Sequence, residues 1–217
     1  MQYLIFTLFL LLSSSVFSET LELLPHSSKT ELRDITLGMH INNVPENHFK
    51  NFICVNGKKE LNKLSDFEQC SHDDKYLYEI GLEFDTTENK WAKGNDDLTE
   101  TTISGFPVIL SFLINKQGLI QAIKAFTSPD TPGYKKRQAY LLANRVKSHY
   151  GSANWECIDK QAGTDGNKAI GPVFIDQHCT KSIYNKRIMV ESKFYRAPGQ
   201  KGKELTNSSA FEIFNLK

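Results

Sequence analysis

Two β-rich runs joined by four residues leave this chain little choice of architecture. PVILSFLI (residues 107–114) and LIQAIKAFT (residues 119–127) flank Asn115-Lys116-Gln117-Gly118. Such a connection reverses the chain between paired strands but is too short for a crossover helix, so it predicts an antiparallel hairpin. Pro107 suits the opening of the first strand, where its missing N–H is tolerated. Upstream, Tyr76, Tyr78, Ile80, Leu82 and Phe84 alternate with Glu79, Gly81 and Glu83. That period of two marks a half-buried strand. Residues 155–158, 173–179, 187–196 and 210–216 read as further strands. Gly163, Gly166 and Gly171, then Pro198, Gly199 and Gly202, separate them.

Helical spacing occurs twice. In residues 134–150, Ala139, Leu142, Ala143, Val146 and Tyr150 form one stripe, Lys135, Lys136 and Lys147 lie elsewhere, and Gly151 supplies a stop. In residues 41–54, Ile41, Val44, Phe49, Phe52 and Ile53 suggest a second helix. Asn42 or Asn43 would be its cap, and Pro45 would sit in its first turn. Before it, residues 32–37 read as a short strand leading to Gly38. The expected fold class is therefore α+β, an antiparallel β-sheet packed against a few helices. It would occupy residues 35–217 as a single domain, behind a loose arm over residues 19–34. A polar segment over residues 86–102 holds Trp91 and Asp96-Asp97.

The first eighteen residues, MQYLIFTLFLLLSSSVFS, have no charged side chain and carry an apolar run followed by small residues. Val16 and Ser18 occupy the positions a signal peptidase reads, so residues 1–18 are expected to be a secretory signal peptide. The apolar run is short for a membrane span, and a soluble mature chain is expected, periplasmic or secreted. In an exported chain, Cys54, Cys70, Cys157 and Cys179 point to two disulfides with three possible pairings. Cys54–Cys70 with Cys157–Cys179 is favoured, because each bridge then closes a local loop. His72 near Cys70 and His178 beside Cys179 raise a metal alternative, but neither has the spacing of a structural zinc site. Lys plus Arg number 26 against 25 Asp plus Glu, a balance that provides no long-range field for nucleic acid.

Catalytic constellations are sparse. In a strand, Asp176 and His178 would face one side and Cys179 the other. His72 beside Asp73 and Asp74 is a second candidate base. The GxSxG, HExxH and GxxxxGK[ST] patterns are absent. Asp159, Asp165 and Asn167 miss the register of a calcium loop. Asn207-Ser208-Ser209 is a glycosylation sequon by pattern. Trp91, a large apolar residue amid ENKWAKGNDD, is the preferred interface anchor, with a lid folded onto the sheet as its alternative.

The stretch DITLGMHINNV, the strand with Tyr76 and Tyr78, and the hairpin ending NKQGLIQAI resemble the SmpA/BamE-like and beta-lactamase-inhibitor-like family of small exported modules. The resemblance covers residues 35–127, and HYGSANW (149–155) is similar to that family's helix-to-strand exit. It implies that the Gly-Met element introduces a helical pair against a three-stranded antiparallel sheet. It also implies possible degenerate modules over residues 35–128 and 129–217. Members act by binding proteins and use no cofactor. The expectation is thus a protein partner in the cell envelope or extracellular space, with no metal and no catalytic residue. The alternatives are a small hydrolase using His72 or His178, and a small-molecule carrier with an aromatic-lined cleft.

Overall fold

A computed structural model describes residues 31–86, 101–129, 131 and 139–216. The expected signal peptide, most of the expected arm, Trp91 with its polar segment, and the Lys135-Lys136-Arg137 run lie outside the described residues. Among the described residues, nine strands form one antiparallel sheet. In chain order they are β1 (Phe49–Cys54), β2 (Tyr78–Phe84), β3 (Thr102–Ile103), β4 (Phe106–Ile114) and β5 (Ile120–Thr127). After α1 (Leu141–His149) come β6 (Glu156–Asp159), β7 (Ile175–Ile183), β8 (Lys186–Tyr195) and β9 (Thr206–Asn215). The spatial order is β1-β2-β4-β5-β9-β8-β7-β6, with β3 beside β4.

Register builds the core in rows. Ile80, Phe112, Ile123, Ile213 and Ile188 are direct cross-strand partners from β2 to β8, and none is more than 1% exposed. The next row runs Leu82, Leu110, Ala125, Phe211 and Val190, and ends in Cys179 and Cys157. Each fully buried Ile or Phe contributes about 1.5–3 kcal/mol by leaving water. Both disulfides are local: Cys54–Cys70, separated by 16 residues, and Cys157–Cys179, separated by 22.

α1 packs this same face through Leu142, Ala143 and Val146, all buried, against β8 and β9. Helix ends leave backbone groups without intrahelical partners, and here the sheet supplies them. Asn207 Oδ1 accepts from the Tyr140 N–H at 3.2 Å, Ser209 Oγ accepts from Ala143 N–H at 3.3 Å, and Ser192 Oγ donates to the Tyr140 carbonyl at 3.0 Å. At the other end, the Lys181 ammonium donates to the carbonyls of Tyr150 (2.6 Å), Gly151 (3.0 Å) and Ala153 (2.9 Å). Asn207, the sequon asparagine, is 6% exposed in this arrangement.

The α+β expectation is overturned. The fold is mostly antiparallel β-sheet, and α1, nine residues long, is the one α-helix among the described residues. The expected helix over residues 41–54 is two short 3₁₀ turns, Ile41–Asn43 and Glu46–His48, followed by β1. A bulge explains the misleading spacing. Asn51 has φ 55°, and the β1–β2 register shifts between Lys50 and Ile53. One extra residue puts Phe49 and Phe52, three apart, on the same core-facing side, which imitates a helical stripe. His40, rather than Asn42 or Asn43, caps the first turn, accepting from Asn42 N–H at 3.2 Å. Residues 32–37 make only a local Leu32–Ile35 bridge, not a strand.

The Gly-Met segment clamps the hairpin instead of opening a helical pair. Gly38 N–H donates to the Ile120 carbonyl (2.8 Å), Ile120 N–H to Met39 (2.9 Å) and Ile41 N–H to Gly118 (2.9 Å). The backbone at Gly118 favours glycine, and a side chain there would also displace the His40 ring. Its φ is +73°, and a Cβ there would lie 2.9 Å from His40 Nε2.

Candidate functional site

The sheet face turned away from the main core gathers exposed apolar side chains and paired charges. One row runs Ile109 (β4), Phe126 (β5), Ala210 (β9), Glu191 (β8), His178 (β7) and Ile158 (β6). Ile109 is 41%, Phe126 42% and Ile158 70% exposed. Beside it runs a second row: Ser111, Lys124, Glu212, Met189, Thr180 and Glu156. Adjacent strands lie about 4.8 Å apart, so Phe126 and Ile158, four strands apart, are separated by roughly 19 Å.

Two cavities lie along this face as a groove, with His178 and Glu191 lining both. The first, about 260 Å³, sits over Ala210 between Phe126, Met189, Lys124 and Glu212. The second, about 290 Å³, lies between Asp176, Lys193, Tyr195 and the loop bearing Lys160 and Asp165. Ala210 is the reason for the first: a methyl group between Phe126 and Glu191 leaves the space a larger side chain would fill.

Charges along the groove are matched in pairs. Lys193 Nζ donates to Glu191 Oε2 at 2.8 Å, and His178 Nδ1 lies 3.6 Å from Glu191 Oε1. The hydrogen bond from Lys193 holds the Glu191 carboxyl below its usual range, and the same bond raises Lys193. Lys160 Nζ donates to Asp165 at 3.1 Å, which raises its pKa, and stands 3.9 Å from Asp176. Lys124 Nζ lies 3.4 Å from Glu79 Oε2 and 3.5 Å from Glu212 Oε1. Burial pushes the Glu212 carboxyl above its usual range.

His178 and Asp176 thus share this face, while Cys179 lies on the opposite face in its disulfide with Cys157. His72 is elsewhere. Its Nδ1 is 2.9 Å from the Asp73 carbonyl, and its ring packs against Tyr76 and Tyr78. The Asp73 carboxylate does not orient His72; it accepts the N–H groups of Lys75 and Leu77, both at 2.8 Å, and so builds the turn. Asp159 accepts from Gln177 at 2.7 Å. Among the described residues, no three of His, Cys, Asp and Glu gather as a metal-binding set.

Phe126, Met189, Glu191, Lys193 and Glu212 were not singled out from the sequence. The alternation Glu191-Ser192-Lys193 and Ala210-Phe211-Glu212 marks a polar strand face, but does not say which strands stand side by side. Chemically, the groove's ionisable groups are tied to one another in the pairs given above. Searches against protein families, characterised proteins and solved structures find no match to this chain. Its two disulfides are compatible with an oxidising extracellular or periplasmic location. No helix among the described residues is long and apolar enough to cross a membrane.

Proposed function

We propose that this is an exported protein that binds another protein on the open face of its sheet, with no catalytic step of its own. The observation that carries the reading is the row from Ile109 and Phe126 to Ile158. Large apolar side chains are held in water there by a rigid sheet, beside a groove of paired charges. Exposed apolar surface rimmed by polar groups is the ordinary mark of a protein contact. Protein binding is also what the SmpA/BamE-like and beta-lactamase-inhibitor-like resemblance implies, and a secretory leader over residues 1–18 would deliver the chain to such a partner. Rigid strands place Phe126 with little ordering cost on binding, which favours it as an anchor.

The test is partner capture by the mature protein in its native exported fraction. Phe126→Asp should abolish capture with a melting temperature within a few degrees of the wild type. Lys203→Asp, on an exposed loop, should capture normally. If Phe126→Asp captures as wild type does, the open face is not the docking surface. If His178→Ala remains folded and captures its partner but loses biological activity, the protein acts catalytically and the binding-module reading fails.

A further inference from the structure

The second disulfide is set out for chemistry that the first is not. Cys157 and Cys179 are direct partners across the β6–β7 pair, on the α1 side of the sheet and away from the open face. Cys157 is exposed, on a strand whose four residues all are, whereas Cys179 is 1% exposed. A thiolate arriving from solution therefore meets one sulfur of this bridge and is kept from the other. Cys54 and Cys70 offer no such asymmetry, because both are buried.

The enclosed sulfur has a cation beside it. Lys147, in the last turn of α1, brings its Nζ to 4.0 Å from Cys179 Sγ. A neutral group keeps it there: Nζ donates to Gln177 Oε1 at 2.6 Å, and Gln177 Nε2 donates to Asp159 Oδ1 at 2.7 Å. Gln177 stands two residues before Cys179 on β7, so both side chains leave the same face of the strand. Asp159 is the β6 partner of Gln177, two residues beyond Cys157. This relay ties α1, β7 and β6 together around one S–S bond. Disulfides open by attack of a thiolate on one sulfur, faster when the departing sulfur is the more stable thiolate. A neighbouring ammonium stabilises a thiolate. Exposure thus selects Cys157 as the sulfur attacked, and Lys147 selects Cys179 as the sulfur that leaves.

We infer that Cys157–Cys179 is a thiol-exchange site, where Cys157 takes up a small-molecule thiol as a mixed disulfide and Cys179 is released as a thiolate beside Lys147. The electron pair of the incoming thiolate forms the new bond to Cys157 Sγ. The Cys157–Cys179 bond breaks, and its pair stays on Cys179. The incoming sulfur is oxidised as Cys179 is reduced, so the step needs no further oxidant and moves no proton. The site lies on the other side of the sheet from the docking face and does not rest on that reading.

The test uses the folded mature protein and 2-mercaptoethanol, a monothiol that stops at the mixed disulfide. Early samples are quenched with N-ethylmaleimide and mapped by peptide mass. The 2-mercaptoethanol adduct should lie on Cys157 and N-ethylmaleimide on Cys179, with Cys54–Cys70 intact. Lys147→Met should slow the exchange about three- to tenfold, and Lys147→Arg should restore it. A loosened fold would speed exchange by exposing Cys179, so a slower reaction separates the charge of Lys147 from its packing. An adduct on Cys179, no adduct at all, or reaction at Cys54–Cys70 as fast as at Cys157 would each overturn the inference. So would Lys147→Met exchanging at or above the wild-type rate, or Lys147→Arg exchanging as slowly as Lys147→Met.

Discussion

The two halves of the sheet repeat one order and close it in different ways. Read inward from its outer edge, the first half runs β1-β2-β4-β5 and the second β6-β7-β8-β9. They meet where Ile123 faces Ile213. Each half has a disulfide near its outer edge, but the settings differ. Cys54 and Cys70 are both buried, whereas Cys157 is exposed and only Cys179 is enclosed. On the first edge, residues 59–61 fold back along β1: Lys59 accepts from Cys54 N–H at 2.8 Å, and Leu61 N–H donates to Phe52 at 2.9 Å. On the second edge, β6 has four exposed residues and is stapled to β7 by its disulfide. An open edge invites pairing with other chains. One half answers with a covering segment, the other with shortness and a covalent tie.

The largest effect should come from α1, which among the described residues only the second half has. Leu142, fully buried on the sheet-facing side of α1, replaced by Asp should cost on the order of 4 kcal/mol, because the helix must bury an unpaired carboxylate or leave the sheet. Urea denaturation measures this, and a loss below about 1 kcal/mol would show that α1 is dispensable to the second half.

The disulfides sharpen the comparison next. Loops of 16 and 22 residues have similar closure entropies, so each bridge should contribute about 3 kcal/mol. What surrounds the sulfur then separates them. Cys54→Ala/Cys70→Ala should cost about 1 kcal/mol more than Cys157→Ala/Cys179→Ala, because it leaves space inside the core. In the folded protein, dithiothreitol should open Cys157–Cys179 first, read by alkylation and peptide mapping. Equal rates would mean that exposure of Cys157 does not set access.

Lys181 tests whether the second half depends on being capped by its own sheet. Lys181→Met keeps the stem and removes three charge-assisted bonds. It should cost about 2 kcal/mol and speed amide exchange over residues 150–155. Unchanged exchange would leave the cap without a role.

The smallest effects lie on the open face and differ in sign. Glu212, raised by burial, opposes folding most when ionised, so its penalty is absent at low pH and grows as pH rises through its folded pKa. Glu212→Gln should therefore raise the melting temperature at pH 7 by about 2 °C, and the gain should vanish toward pH 4. Glu191, lowered by Lys193, contributes stability present at neutral pH and lost as pH falls through its folded pKa. With Glu191 42% exposed, solvent screening keeps that contribution below about 1 kcal/mol. Thermal melts of the two Gln variants across pH 3–8 should move in opposite directions.

The residues show why some of this was legible and some was not. The β4–β5 hairpin is local: Asn115 Oδ1 accepts the N–H groups of Gln117 (3.0 Å) and Leu119 (2.9 Å), so the turn is written in the residues that form it. The core stripe of α1 is local for the same reason. β1 misled because its bulge at Asn51 replaces a period of two with a step of three, and nothing in FKNFIC announces an extra residue. The sheet-borne capping of α1 was equally hidden, since Asn207 and Ser209 sit more than sixty residues beyond the helix N–H groups they accept from.

Alternation and the spacing of the cysteines pointed to antiparallel strands, to where most of them lie, and to the local disulfide pairing, because those properties depend on residues near one another in sequence. Tertiary structure decided how the strands stand side by side. Pairing of β5 with β9 joins residues 122–126 to 210–214, and no local pattern specifies a partner that far away. That one pairing sets Ala210 beside Phe126 on one side and, with β8, beside Glu191 on the other. The groove therefore exists only in the assembled sheet: His178 and Asp176 stood out in the sequence, but Phe126, Met189, Glu191 and Glu212 acquire their place beside them only from strand pairing.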